Sequence, residues 1–203
     1  VAADGLGQLV GQAERSLRAG DRAFVTVYHS DLDSTGHRFG IDSPDWRHQL
    51  RFVDMLAEQI AGVLPPGTAL YITADHGMVD AVEHVDFDTT PELQEGVTLI
   101  GGDARARYVY STPAAHEDVL AAWKGLLGDR AWVFARDEAV AAGLFGPVHP
   151  ELLERIGDVI AVPFTDMAIV ASEREPYLTR MVGMHGSLVP EELLVPLLSY
   201  TRL

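Results

Sequence analysis

The chain contains no cysteine and no asparagine, and Lys124 is its one lysine. The first absence removes disulfides, thiolate metal ligands, iron-sulfur clusters and cysteine nucleophiles together, and leaves the redox compartment open. Without asparagine there is no acceptor for an asparagine-linked sugar, and no lysine stands where a Walker-type phosphate loop needs one. Positive charge is scarce as well: 15 basic residues face 30 acidic ones, a formal net charge of -15. That balance argues against a stable complex with nucleic acid or anionic lipid. A small anionic ligand stays possible, because a bound cation reverses the local field. No run approaches the roughly 18 to 20 uninterrupted apolar residues that a membrane helix needs. The chain opens on Val1 with neither an initiator methionine nor a signal segment, which puts its true start in question. The expected compartment is the cytoplasm.

Hydrophobic residues make up 47% of the 203, enough for one sizeable core. Residues 13–19 read as the end of a helix stopped by Gly20, and residues 23–28 as a short buried strand. The polar stretch 29–43 then reads as a long loop. Pro44 opens a helix running to about Val63, with Leu50, Val53, Leu56, Ala57 and Ile60 on one face, and Pro65-Pro66-Gly67 ends it. A strand follows at 69–73. Strand, loop, helix, strand at this spacing predicts a parallel sheet covered by helices. Further on, residues 74–95 read as an acidic loop. Strands are predicted at 97–100, 105–110, 131–134, 159–162 and 167–170, and helices at 114–127 and 137–142. The expected organisation is a core over 1–95, an insertion or smaller subdomain over 96–175, and a return to the core over 176–203.

Three polar clusters abut these elements. They are 28–37, with Asp31, Asp33 and His37; 73–78, with Asp75 and His76; and 183–188, with His185 and Ser187. In a parallel sheet, ligands bind beyond the carboxyl ends of strands, where distant loops meet, so such clusters can converge. Carboxylate and neutral imidazole donors suit zinc, with manganese or iron as alternatives. Five donors exceed one closed zinc site, and two catalytic metals fit better. Each cluster also has a plainer reading. Asp75 and His76 can cap a loop, Asp33 and His37 can belong to a turn allowed by Gly36, and His185 can be an ordinary loop histidine. Asp31 is either a partner of a ligand or a solvated carboxylate. His29 reads as packing or local hydrogen bonding, and Glu83, Asp86 and Asp88 as a solvated run, with a further metal site as the alternative. Arg105 and Arg107 alternate on a predicted strand, as phosphate binders or a solvated face. Phe39, Trp46, Phe87 and Tyr177 can frame a leaving-group pocket or serve as core.

The segments YHSDLDSTGHRFG, YITADHGM and MHGSL, in this order, resemble the type I phosphodiesterase and nucleotide pyrophosphatase family of the alkaline phosphatase superfamily. RIGDVIAV and EELLVPL look like an actinobacterial branch. The resemblance implies an α/β fold, a mostly parallel sheet flanked by helices, and hydrolysis of phosphodiester or pyrophosphate bonds in a small nucleotide-like anion. It also implies two divalent metals, expected to be zinc: Asp33, His37 and His185 look like the ligands of one, Asp75 and His76 like two ligands of the other. The family's threonine or serine nucleophile and a further strand-end aspartate match no residue here. The chain therefore looks like the carboxyl-terminal half of such an enzyme, weakly active or inactive when isolated. Phosphomonoester, phosphonate and sulfate hydrolases share the superfamily framework, and a noncatalytic metal-stabilised module is the alternative of another class.

Overall fold

The computed structural model describes residues 5–203; the opening residues, on which the expectation about the chain's start rests, lie outside the described residues. Along the chain run α1 (Leu6–Leu17), α2 (Asp31–Phe39), α3 (Pro44–Val63), β1 (Thr68–Thr73), β2 (Val79–Asp80), β3 (Glu83–Asp86), α4 (Pro91–Gln94), β4 (Val97–Asp103) and β5 (Ala106–Ser111). Then follow α5 (His116–Leu127), β6 (Ala131–Ala135), α6 (Arg136–Ala141), β7 (Val159–Pro163), β8 (Met167–Val170), β9 (Gly183–Met184), α7 (Pro190–Leu193) and β10 (Leu197–Arg202). The contacts divide into two units, one reaching to Asp75 and including Val195–Leu203, the other His76–Leu194.

In the first unit, α3 begins where the sequence places it. Pro44 occupies the first turn, where its missing N–H costs nothing, and the Trp46 N–H donates to Ser43 Oγ at 3.1 Å. Leu56 and Ile60 form its buried stripe and, with Leu64 just past its end, pack against Leu6, Leu9, Val10 and Leu17 of α1 and against Leu70 of β1. Leu50, expected on that stripe, is exposed. β1 pairs antiparallel with β10, Leu70 opposite Tyr200, and its residues alternate between half-buried and exposed. A strand solvated on one face is the signature of an antiparallel ribbon.

The second unit holds a four-stranded sheet in the order β4-β5-β7-β6, every neighbour antiparallel. β4 and β5 are joined by Ala104 and Arg105 alone, with Asp103 opposite Ala106, and so tight a link permits only antiparallel pairing. β7 and β8 are buried throughout. Trp123, Val119 and Leu127 of α5 pack with Val109, Val159 and Ile169 in the main core, where the Trp123 indole N–H donates to the Leu93 carbonyl at 3.1 Å.

The expectation of a mostly parallel sheet is overturned. Among the described residues β3–β8 is the one parallel pairing, and the five others are antiparallel. Strand and helix periodicity identifies elements but not their partners, and β1 takes its partner from the far end of the chain. Residues 23–28 also depart from expectation: they form no strand, and Phe24 is 95% exposed. β propensity needs a ladder partner to become a strand. The loop expected at 74–95 instead carries β2, β3 and α4. Asp86 and Asp88 are not a solvated run. Asp86 accepts the Ser172 N–H at 3.0 Å, and Asp88 accepts the N–H groups of Glu173 and Arg174 at 2.8 and 3.1 Å.

Candidate functional site

Asp33 and His37 lie on α2, within the stretch expected to be a loop. Little apolar periodicity marks this helix, since Ser34, Thr35 and Gly36 fill its middle. Its signal is electrostatic: Asp31 and Asp33 in the first turn and His37 and Arg38 in the last complement the helix dipole, and Gly40 (φ 86°) ends it. Thr35 Oγ1 donates back to the Asp31 carbonyl at 2.6 Å, so Thr35 is engaged within the helix. Residues four apart share a helix face. The consequence is an Asp33 carboxylate oxygen 3.3 Å from His37 Nε2, both side chains partly buried. His29 Nε2 lies 3.7 Å from an Asp31 carboxylate oxygen and 3.4 Å from Gln49 Nε2, which ties Asp31 to local contacts rather than to Asp33.

In the second unit His76 and His185 stack, with ring centroids 3.5 Å apart and planes 16° from parallel. His76 Nδ1 lies 2.8 Å from the Gly77 carbonyl oxygen, a contact suited to an N–H on Nδ1 and an Nε2 left as an acceptor. Asp75 ends the first unit one residue before His76. Gly77 stands where only glycine fits, because a Cβ there would meet the Glu191 carbonyl oxygen at 2.0 Å. Gly186, beside His185, has φ 124°, a conformation L side chains rarely adopt. Thus the structure joins Asp33 to His37 in one unit and His76 to His185 in the other.

These donors suit a divalent ion. A carboxylate oxygen and imidazole nitrogens match zinc, manganese and iron(II), and nothing in the chain offers a thiolate.

Arg105 and Arg107 neither line a solvated face nor stand open to phosphate. Both are fully buried: Arg105 pairs with Glu192 and Arg107 with Glu175, the latter at 2.7 Å. Phe87 packs on Trp123 in the core, whereas Phe39 and Tyr177 are exposed. Ser187 is buried, and its hydroxyl donates to the Pro163 carbonyl. Sequence reasoning missed Glu192 altogether. A glutamate following another glutamate on a short helix carries no local sign of burial, and its partner Arg105 lies 87 residues away.

The chain resembles known proteins over nearly all of its length. A model of the family described as type I phosphodiesterase / nucleotide pyrophosphatase matches residues 4–188. Human ectonucleotide pyrophosphatase/phosphodiesterase family member 7 is 46% identical over 63 residues, 29% of this chain and 14% of that protein. GPI ethanolamine phosphate transferase 1 of Aspergillus fumigatus is 30% identical over 142 residues, 64% of this chain and 14% of that protein. Among solved structures, murine ectonucleotide pyrophosphatase/phosphodiesterase 5 shares the fold with a TM-score of 0.75 at 20% identity, covering 98% of this chain and 53% of that one. Phosphonoacetate hydrolase from Sinorhizobium meliloti has a TM-score of 0.60 at 18% identity, covering 82% and 43%. The chain therefore spans about half the length of the murine structure and a smaller part of the curated relatives. With the family model matching over residues 4–188, well over half of its length, the chain belongs to the type I phosphodiesterase / nucleotide pyrophosphatase family.

Proposed function

We propose that this chain is part of a metal-dependent hydrolase of phosphodiester or pyrophosphate bonds, acting on a small nucleotide-like anion. The family match carries the reading, and the Asp33–His37 pair on one helix face supports it. The proposal gives one ion Asp33, His37 and His185 as ligands, by residue type one carboxylate and two imidazoles. Asp75 and His76 contribute to a second, and zinc is the proposed metal. The murine relative has been solved as an inactive variant in complex with AMP, which fits a nucleotide-like substrate for this chain. When bound, divalent ions supply positive charge that polarises a phosphoryl group and offsets charge building on its oxygens. That charge also lets a chain of net charge -15 hold an anion.

The chain's own residues bind and orient. α2 holds the Asp33 carboxylate and the His37 imidazole in one register. The Gly77 carbonyl fixes the orientation of the His76 ring, and Gly186 gives the chain after His185 a backbone conformation (φ 124°) that L side chains rarely adopt. No residue here is assigned the hydroxyl nucleophile; Thr35 and Ser187 are both engaged with main-chain carbonyls. The proposal assigns that role to a threonine or serine outside these 203 residues, and a cytoplasmic location goes with it. Metal stoichiometry of the purified chain, measured with turnover of bis-nitrophenyl phosphate, a phosphomonoester and a sulfate ester, tests it. Zinc binding that requires Asp33 and His37 supports the reading. A chain that binds no divalent metal refutes it, and turnover of any of the three esters by these 203 residues alone overturns the assignment of the nucleophile to a residue outside them.

A further inference from the structure

Glu192 and Arg105 form an ion pair buried within the second unit, 2% and 0% exposed respectively. Glu192 Oε1 accepts from Arg105 Nε at 2.7 Å and lies 2.5 Å from Nη2. Such pairs are weak sources of stability, because desolvating two charges offsets most of their attraction, and apolar replacements of similar volume are often neutral or better. What this pair touches is more informative. Glu192 Oε2 accepts the Ser187 N–H at 2.7 Å, two residues after His185. The Glu192 main-chain carbonyl accepts the Gly77 N–H at 2.7 Å, one residue after His76. One residue thus anchors the segments that follow both stacked histidines.

Arg105 fixes the anchor in turn. Its Nη1 donates to the Thr165 and Met167 carbonyls, both at 2.7 Å, and its Nη2 to the Pro163 carbonyl at 3.4 Å. The Ser187 hydroxyl donates to that same Pro163 carbonyl. Arg105, Glu192, Ser187 and the turn between β7 and β8 therefore close a network in a water-poor interior, where each hydrogen bond is strong and each missing partner costly. Gly77 lets the Glu191 carbonyl approach without a Cβ in between. Two stacked imidazoles carry little specificity of their own; their 3.5 Å separation needs backbones held from behind.

We infer that Glu192, held by Arg105, is a positioning residue that sets the relative placement of His76 and His185. The inference rests on the reading above only where it concerns metal affinity. The ring placement itself is a property of the metal-free chain.

The test uses the full 203-residue chain and two double variants. R105M/E192Q removes both charges but keeps an amide oxygen for the Ser187 N–H, whereas R105M/E192L removes charges and acceptor alike. Without metal, the imidazole proton resonances of His76 and His185 report their stacking through mutual ring-current shifts, and zinc affinity is read by competition with a chromophoric chelator. R105M/E192Q keeps the ring-current shifts. R105M/E192L loses them and binds zinc about 10- to 100-fold more weakly, the usual effect of removing an outer partner of a metal ligand. Unchanged ring-current shifts in R105M/E192L overturn the inference. Should that variant not fold, Glu192→Asp carries the test. It keeps the charge but is one methylene too short to reach Arg105 and Ser187 together, so reduced ring-current shifts uphold the inference and unaltered ones overturn it. A wild-type chain with stacked rings and no zinc binding refutes the functional reading instead, which keeps the two failures apart.

Discussion

Asp33 and His37 stand one helical turn apart on α2, with a carboxylate oxygen 3.3 Å from the imidazole Nε2. Two donors on one helix face are preorganised, so an ion binding there orders little else. Asp33→Ala and His37→Ala are each expected to lower zinc affinity more than the roughly 10- to 100-fold that outer partners command. Zinc at about 100 times its dissociation constant should raise wild-type stability by about 2.7 kcal/mol, and a chelator should reverse the gain. Chelator competition and thermal unfolding with and without zinc check both expectations.

Gly77→Ala would place a Cβ 2.0 Å from the Glu191 carbonyl oxygen, and the obstacle is main chain rather than a flexible side chain. Overpacking of this kind costs about 1 to 3 kcal/mol. Denaturant unfolding should show that loss, together with reduced ring-current shifts at His76 and His185. Gly67→Ala, where nothing lies within 4 Å, is the comparison for a strained φ (76°) without a clash.

Ile169 is fully buried in the main core on β8. Ile169→Ala removes buried methyl and methylene groups and leaves a cavity, at a cost of about 2 to 5 kcal/mol. At α3, Ser43→Ala deletes the acceptor for the Trp46 N–H and should cost about 1 kcal/mol. Urea titration of both variants tests the ranking, which reverses if the core is loosely packed at β8.

Glu138 caps α6 by accepting the Ala135 N–H at 2.9 Å, and its carboxyl lies below the usual 4.5 chiefly through that bond, with Lys124 adding a smaller effect. A carboxyl lowered in the folded state binds protons less readily there than in the unfolded chain. Its contribution is therefore present above 4.5 and is lost as pH falls through the lower folded value. The stability difference between wild type and Glu138→Gln should be constant near neutrality and shrink below pH 4.5, as read from urea midpoints across that range. A difference unaltered down to pH 2 removes Glu138 from the acid response.

The sequence alone determined the elements whose causes are local. α3 starts at Ser43-Pro44 and ends before Pro65-Pro66 because capping chemistry and proline sterics act within a few residues. β7 and β8 were legible as short apolar runs, α5 as a helical repeat, and the polar clusters as sets of metal-compatible donors. Tertiary structure decided the rest. Strand direction follows from ladders between distant segments, as where Leu70 meets Tyr200, and no local periodicity encodes a partner. α2 shows almost no apolar stripe, so charge placement and packing make it a helix. The stacking of His76 on His185 and the burial of Glu192 against Arg105 join residues about a hundred positions apart. Such contacts gain their free energy only once the chain has closed those loops, and a linear reading sees the donors without the closure.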